Sequence, residues 1–183
     1  MIPFILLLAV ILIAAFALMG IYNRLVQSRV SCDTAWSNID VQLKRRHDLI
    51  PNLVETVKGY AAHEKTTLED LTKYRAMAMQ ATTPADKAAA ENQLSGALKN
   101  LFAVAENYPD LKASQQFAQL QSQLSQTEDS IQGARTTYNA VVRNLNTAVQ
   151  SFPANILAGM FGFQQRQFFE VAQTDREPIA VKF

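Results

Sequence analysis

The chain has 183 residues, of which 18% are charged, and its formal net charge is +1. This length suffices for one domain with a hydrophobic core, and the near balance of charge argues against nucleic acid as the main partner. The single cysteine, Cys32, excludes an internal disulfide and leaves no pair of thiols for a zinc site.

The chain begins with an uninterrupted apolar run, IPFILLLAVILIAAFALMGI, at residues 2–21. At about 1.5 Å per residue, a helix over this run is about 30 Å long, which matches the hydrocarbon core of a bilayer. No basic residue precedes the run, and it is longer than the apolar core of a secretory signal peptide. It predicts an uncleaved transmembrane anchor, residues 1–23, that contacts the lipid bilayer.

Basic residues follow the apolar run and do not precede it. Arg24 and Arg29 come directly after it, and Lys44, Arg45 and Arg46 lie further on. Lys and Arg near a span tend to remain in the cytoplasm, so these residues predict the orientation of the expected single-pass inner-membrane protein. Its N-terminus would lie outside and its helical domain in the cytoplasm.

Beyond the anchor, apolar residues recur every three or four positions, which is typical of helices with one buried face. The pattern predicts a helical bundle over residues 24–152, with elements at about 24–48, 51–80, 84–107 and 110–152. Thr83 and Pro84 suit the N-cap and first position of the third element. The expected fold is all-α: a transmembrane helix and then an elongated antiparallel up-and-down bundle of about four helices.

Pro51 lies between two of these elements and allows two architectures. It can open a new helix after a turn at residues 48–50, or it can kink one continuous helix. The turn gives helices of matched length, whereas a continuous helix over 24–80 would be about 85 Å long, so the turn is favoured. Five residues would then cap the membrane-distal end of the bundle: Arg45, Arg46, Asp48, Leu49 and Ile50.

The last long helix has the most regular pattern. Six apolar or aromatic residues fall seven apart: Phe117, Leu124, Ile131, Tyr138, Leu145 and Phe152. Leu120, Thr127, Ala134, Val141 and Ala148 occupy the intermediate positions. This period of 3.5 predicts coiled-coil-like packing. The other faces carry mainly Gln, Ser, Thr and Asn. Such a neutral polar face can be an ordinary solvated surface, or it can pack against copies of the chain and form a homo-oligomer.

Several charged residues lie on or beside the apolar stripes, where charges usually pair across helices. Arg46, Glu64, Arg75 and Arg135 are therefore expected to join helices through ion pairs. The structural or interaction candidates are these four with Pro51, Glu128, Phe161 and Phe163.

No catalytic, metal-binding or cofactor-binding residue is predicted. The histidines are His47 and His63, and the HEKTT sequence at residue 63 lacks the second histidine of a zincin motif. A hydrolase that uses Glu64 or Glu128 is the weakest alternative.

Residues 153–183 form a Phe/Gly-rich segment that begins PANILAGMFGFQQRQFFEVA. Its apolar content is too high for a disordered tail. We expect it to pack on the bundle, with the bilayer surface or another subunit as alternatives.

The chain closely resembles the LemA family. The resemblance rests on the N-terminal span followed by RRHDLIPNLVETVKGYAAHE, ARTTYNAVVRNLN and SFPANILAGMFGFQQRQFFE. It implies a helical bundle on one membrane anchor, with a short extracellular N-terminus and no established catalytic residues. Relatives in magnetosome-forming bacteria are associated with building membrane compartments.

The sequence thus predicts a membrane-anchored, non-enzymatic helical scaffold that self-assembles and organises or remodels the membrane. The alternative is an adaptor that binds a membrane-protein partner, such as a membrane protease, a sensor kinase or an envelope-stress component. The two hypotheses differ in whether the chain assembles with itself or with one foreign protein.

Overall fold

A computed structural model describes residues 2–61 and 63–169, and the regular structure in these ranges is α-helical. The prediction of an all-α helical bundle with an N-terminal apolar helix is confirmed. The helices are α1 (Ile2–Lys58), α2 (Lys65–Gln80), α3 (Pro84–Ala105), α4 (Pro109–Ala113), α5 (Gln115–Gln150) and α6 (Ala154–Phe161).

Helix α1 runs through Pro51 without interruption for 57 residues. The predicted turn at residues 48–50 is therefore wrong, and the chain breaks later, between Lys58 and Lys65. Gly59 follows the last residue of α1, and glycine destabilises a helix by about 1 kcal/mol relative to alanine. The expected cap at residues 45–50 is also wrong, because Arg46 and Ile50 are almost fully buried along the side of the helix.

The first part of α1 is apolar, and its residues through position 20 are exposed in the isolated chain. Its mean hydropathy over 18 residues is 3.1, so among the described helices α1 is long and apolar enough to cross a membrane. A helix whose apolar side chains face outward on all sides matches lipid as its surroundings better than a protein core.

The described chain divides into two compact units. The first, called the anchor unit, contains the residues up to Asn38 together with Thr136–Gln167, and the second, called the bundle unit, contains Ile39–Arg135 with Phe168 and Phe169. Boundaries between the units fall within α1 and α5, so each unit includes part of both helices.

The bundle unit has a continuous hydrophobic core to which α1, α2, α3, α4 and the first part of α5 contribute. Helices α2 and α3 pack against each other across a three-residue connection. The predicted cap of α3 is present, since Pro84 is its first residue and Thr83 Oγ1 accepts from the backbone N–H of Asp86 at 3.1 Å. The start of α3 at Pro84 thus agrees with the prediction from the sequence.

The anchor unit has a smaller core, formed by Leu25 of α1, Leu157 and Ala158 of α6, and Phe163. Gly162 caps the C-terminus of α6 with a left-handed φ of 71°, and the backbone N–H of Phe163 donates to the carbonyl of Ala158 at 2.9 Å. Glycine suits this position because it has no Cβ to clash. The tight ending directs Phe163 back into the core.

The buried face of α5 follows the predicted heptads only in part. The positions seven apart from Phe117 to Leu145 are buried, but Phe152 is 80% exposed and that prediction is wrong. The intermediate buried positions begin at Leu120 and Thr127 and then move to Arg135 and Val142 instead of Ala134 and Val141. A straight α-helix has 3.6 residues per turn, so its buried face drifts by about 20° per heptad.

Candidate functional site

The side chain of Arg46 lies at the centre of a buried charged cluster in the bundle unit. Its guanidinium is fully buried and donates through Nη1 to the carboxylate of Glu128 on α5. Nη2 donates to Ser95 Oγ at 2.8 Å and to the Glu91 carbonyl oxygen at 3.1 Å, both on α3. One arginine on α1 thus fixes the alignment of two other helices.

Glu91 provides the second buried charge of this cluster. Its carboxylate is fully buried, with Oε2 at 3.4 Å from Arg46 Nη2 and Oε1 at 2.7 Å from His47 Nε2. A buried carboxylate is unfavourable unless cations and hydrogen-bond donors surround it. Arg46 supplies the positive charge and His47 a hydrogen-bonding ring nitrogen, from neighbouring positions on α1. The carboxylate of Glu91 is thus paired with side chains of the protein.

Pro51 and Arg75 are linked through one backbone carbonyl. A proline has no N–H, so the carbonyl of His47, four residues before Pro51, loses its normal helical partner. Arg75 Nε of α2 donates to this carbonyl at 2.7 Å. The replacement donor explains why α1 continues through Pro51, and it ties α2 to α1.

Glu64 precedes α2 and contacts the start of α4. Its Oε1 accepts a hydrogen bond from the phenol of Tyr108 at 2.8 Å. Because this bond to a carboxylate favours the protonated phenol, the pKa of Tyr108 is raised above its ordinary value. Glu64 therefore joins the connection between α1 and α2 to the connection between α3 and α4.

Arg135 is 4% exposed and lies 4.7 Å from the ring centre of Phe169, a cation–π contact. Its Nε and Nη2 make no hydrogen bond with any residue that the structure describes. Burial lowers the pKa of this guanidinium, while the nearby charge of Glu128 acts in the opposite direction. The principal contact of Arg135 in the described chain is thus an aromatic ring.

Phe161 and Phe163 lie in the anchor unit beside α1. Their rings lie 4.9 and 5.8 Å from that of Tyr22, in edge-on arrangements. The guanidinium of Arg29 lies 5.2 Å from the ring centre of Phe163. Phe163 is buried whereas Phe161 is 55% exposed, so the first residue packs the unit and the second presents an apolar surface.

The structure adds residues that the sequence did not indicate, above all Glu91, with Ser95 and Tyr108. A signal for Glu91 existed, because it lies three residues before Leu94 and seven before Leu98 on the buried stripe of α3. A charge at such a position needs a buried partner. Ser95 and Tyr108 carried no comparable signal.

The charged cluster around Arg46 joins helices through ion pairs and hydrogen bonds. Within residues 2–61 and 63–169, no group of three His, Cys, Asp or Glu side chains is arranged to hold a metal ion. Arg46, His47, Glu91 and Glu128 contact one another across α1, α3 and α5. Such an arrangement specifies which helix faces meet.

Comparison with known proteins places these features in a family. The family model described as "LemA family" matches residues 35–183. Protein LemA of Metamycoplasma hominis is 27% identical over 168 residues, which cover 90% of this chain and 75% of that protein.

Two further relatives are named magnetosome proteins. Magnetosome protein MamQ 2 of Paramagnetospirillum magneticum is 25% identical over 184 residues, and magnetosome protein MamQ of Magnetospirillum gryphiswaldense is 24% identical over 184 residues. Each alignment covers 86% of this chain and 68% of the relative. None of these names states an enzymatic activity.

Proposed function

Since the chain belongs to the LemA family, we propose that it is a membrane-anchored, non-enzymatic scaffold that assembles with copies of itself and organises or remodels the membrane. The anchor is the apolar start of α1, which would cross the inner membrane once with its N-terminus outside. The helical domain would lie in the cytoplasm, in agreement with Arg24 and Arg29 after the span. Relatives named magnetosome proteins support a role at a membrane compartment.

The proposal of self-assembly rests on the neutral polar surface of α5 in the bundle unit. Over residues 115–133 the exposed side chains are neutral apart from Asp129 and the half-exposed Glu128, whose carboxylate is paired with Arg46. Gln115, Gln119, Ser122 and Gln126 follow one another at helical spacing along this face. A neutral polar face lacks the charge repulsion that keeps soluble surfaces apart.

The test places like charges on that face. Gln119→Lys with Gln126→Lys should decrease the assembly mass of the full chain, measured by light scattering in mild detergent and by electron microscopy in lipid. Thr66→Lys with Gln80→Lys is the matched control, since it adds the same charge at exposed positions of α2. Monomers of the wild type across a wide concentration range would overturn the proposal.

A groove on the bundle unit favours the second candidate, an adaptor. It has a volume of about 780 Å³ and lies between the end of α1 and α2. Val54, Leu68 and Ala76 contribute apolar surface, and the charged lining consists of three lysines and one glutamate: Lys58, Lys65, Lys73 and Glu69. Such a groove suits an amphipathic partner segment with acidic flanks.

The adaptor hypothesis predicts one stoichiometric foreign protein in a pull-down from mild detergent. Ala76→Glu should abolish that complex, because it places a charge in the apolar groove, while Gln80→Glu at the end of α2 should not. Purification of the chain with itself alone, with no change from Ala76→Glu, would reject the adaptor and leave the scaffold.

A further inference from the structure

The anchor unit is strongly basic although the whole chain is nearly neutral. Its charged residues are four arginines and one aspartate, which give a net charge of +3: Arg24, Arg29, Asp33, Arg143 and Arg166. The aspartate is already paired, since Arg166 Nη2 lies 2.7 Å from Asp33 Oδ1. The remaining positive charge has no acidic counterpart within the unit.

Two of these arginines line one cavity. Arg24 and Arg143 belong to a pocket of about 720 Å³ whose polar lining also includes Gln27, Ser28, Asn144 and Thr147. The described lining contains no acidic residue, and neither arginine forms an ion pair with any described residue. The cavity therefore offers two unpaired guanidiniums together with neutral hydrogen-bonding groups.

The end of the cavity next to the apolar run lies at the level of the headgroup layer of a bilayer. The lining of the cavity on α1 begins at Ile21, the last residue of the apolar run, and continues to Ser31, about 15 Å further along the helix and into the part of the chain proposed to be cytoplasmic. The headgroup layer adds about 6 Å on each side of the hydrocarbon core. Arg24 is three residues beyond Ile21, or about 4.5 Å along the helix, so it falls within that layer.

An apolar surface lies next to this cavity. Phe152 forms part of the lining and is 80% exposed, and on the adjoining α6 Ile156 and Met160 are 55% and 73% exposed. Phe161 is also exposed and contacts Tyr22, one residue beyond the apolar run. Exposed apolar residues beside a basic cavity are typical of a surface that contacts lipid at the interface.

We propose that this cavity binds the headgroup of an anionic phospholipid from the membrane in which α1 is anchored. The lipid phosphate lies against the guanidiniums of Arg24 and Arg143, and the neutral polar groups bind the rest of the headgroup. The exposed apolar residues of α6 lie against the acyl chains. The inference rests on the membrane anchorage proposed above.

The experiment is native mass spectrometry of the full-length chain in a non-ionic detergent, with phosphatidylglycerol or phosphatidylcholine of identical acyl chains added. We expect about 25-fold tighter binding of phosphatidylglycerol, because each of the two arginines near an anionic lipid contributes on the order of a fivefold change. Arg24→Gln with Arg143→Gln should abolish this preference. Lys44→Gln with Arg45→Gln, which removes the same charge at exposed positions outside the cavity, should leave it intact.

A second variant keeps both arginines and fills the space between helices. Ser28→Phe should also weaken phosphatidylglycerol binding, and it tests the cavity even when the double arginine variant fails to fold. An unchanged preference in both cavity variants, or an equal loss in the control, overturns the inference. Displacement of phosphatidylglycerol by millimolar inorganic phosphate would identify a free-phosphate site and overturn the lipid assignment.

A separate measurement distinguishes this inference from the proposed function. Alkaline extraction of membranes that contain the full chain reports on the anchor, and the oligomer mass in the same spectra reports on assembly. Release from the membrane would remove the anchorage on which both proposals rest. A chain that stays in the membrane and assembles, but shows no headgroup preference, would overturn the lipid inference alone.

Discussion

The fully buried guanidinium of Arg46 donates to the carboxylate of Glu128, 82 residues later in the chain, and thereby joins α1 to α5. The same guanidinium also lies beside Glu91 of α3, whose carboxylate is fully buried, whereas that of Glu128 is 45% exposed. The two acidic partners of one arginine thus differ in their access to water. This difference determines what each contributes to stability.

Replacement of Glu91 should destabilise the bundle far more than replacement of Glu128. Glu91→Leu removes the partner of His47 and one partner of Arg46 in a dry environment, and should lower the free energy of unfolding by about 3 kcal/mol. Glu128→Leu removes a solvent-screened charge and should lower it by about 1 kcal/mol. Denaturation in detergent, followed by helical circular dichroism, measures both, and equal losses would contradict the assigned burial.

Pro51 and Arg75 should be energetically coupled through the carbonyl of His47. Arg75→Leu in the wild type leaves this carbonyl without its donor and should lower the free energy of unfolding by about 2 kcal/mol. In a Pro51→Ala background the new N–H can bond to the same carbonyl, so the loss should decrease by about 1 kcal/mol.

The control for this cycle is Asn52→Ala, which changes the neighbouring exposed side chain and leaves the His47 carbonyl unaffected. Its effect should be additive with Arg75→Leu. Additivity in the Pro51→Ala cycle as well would show that Arg75 does not compensate for the proline.

Tyr108 should ionise at higher pH than an ordinary tyrosine because it donates to Glu64. A group whose pKa is raised by folding stabilises the native state fully below its unfolded value of about 10, and this stabilisation is lost as the pH rises through the folded pKa. The Glu64→Gln variant removes the charged acceptor, and the pKa of Tyr108 should fall back toward its ordinary value. Ultraviolet titration of tyrosinate measures this, with Tyr108→Phe to identify its component.

Cys32 should resist alkylation in the folded protein. The thiol is fully buried, and burial raises its pKa, although the charge of Arg166 acts in the opposite direction. Since the thiolate is the reactive form, labelling by iodoacetamide at neutral pH should be slow and should follow unfolding of the anchor unit. The matched control is Cys32→Ser with Ser31→Cys, which moves the thiol to an exposed neighbouring position and should react quickly.

Local chemistry made much of the fold predictable. The apolar run, the helical periodicity and the Thr83–Pro84 cap depend on neighbouring residues, so the sequence displays them directly. The break after α1 was misplaced because Pro51 is the stronger local signal and Gly59 the weaker one.

The sequence by itself determined an all-α chain with an apolar N-terminal helix, because these properties follow from side-chain periodicity and hydropathy. Only the tertiary structure decided that α1 continues through Pro51, since the donor that replaces the missing N–H is Arg75, 24 residues later and on another helix. The same holds for Glu91, whose burial is tolerated only where α1 brings Arg46 and His47 to it. Contacts between residues far apart in the chain depend on packing, which no local pattern records.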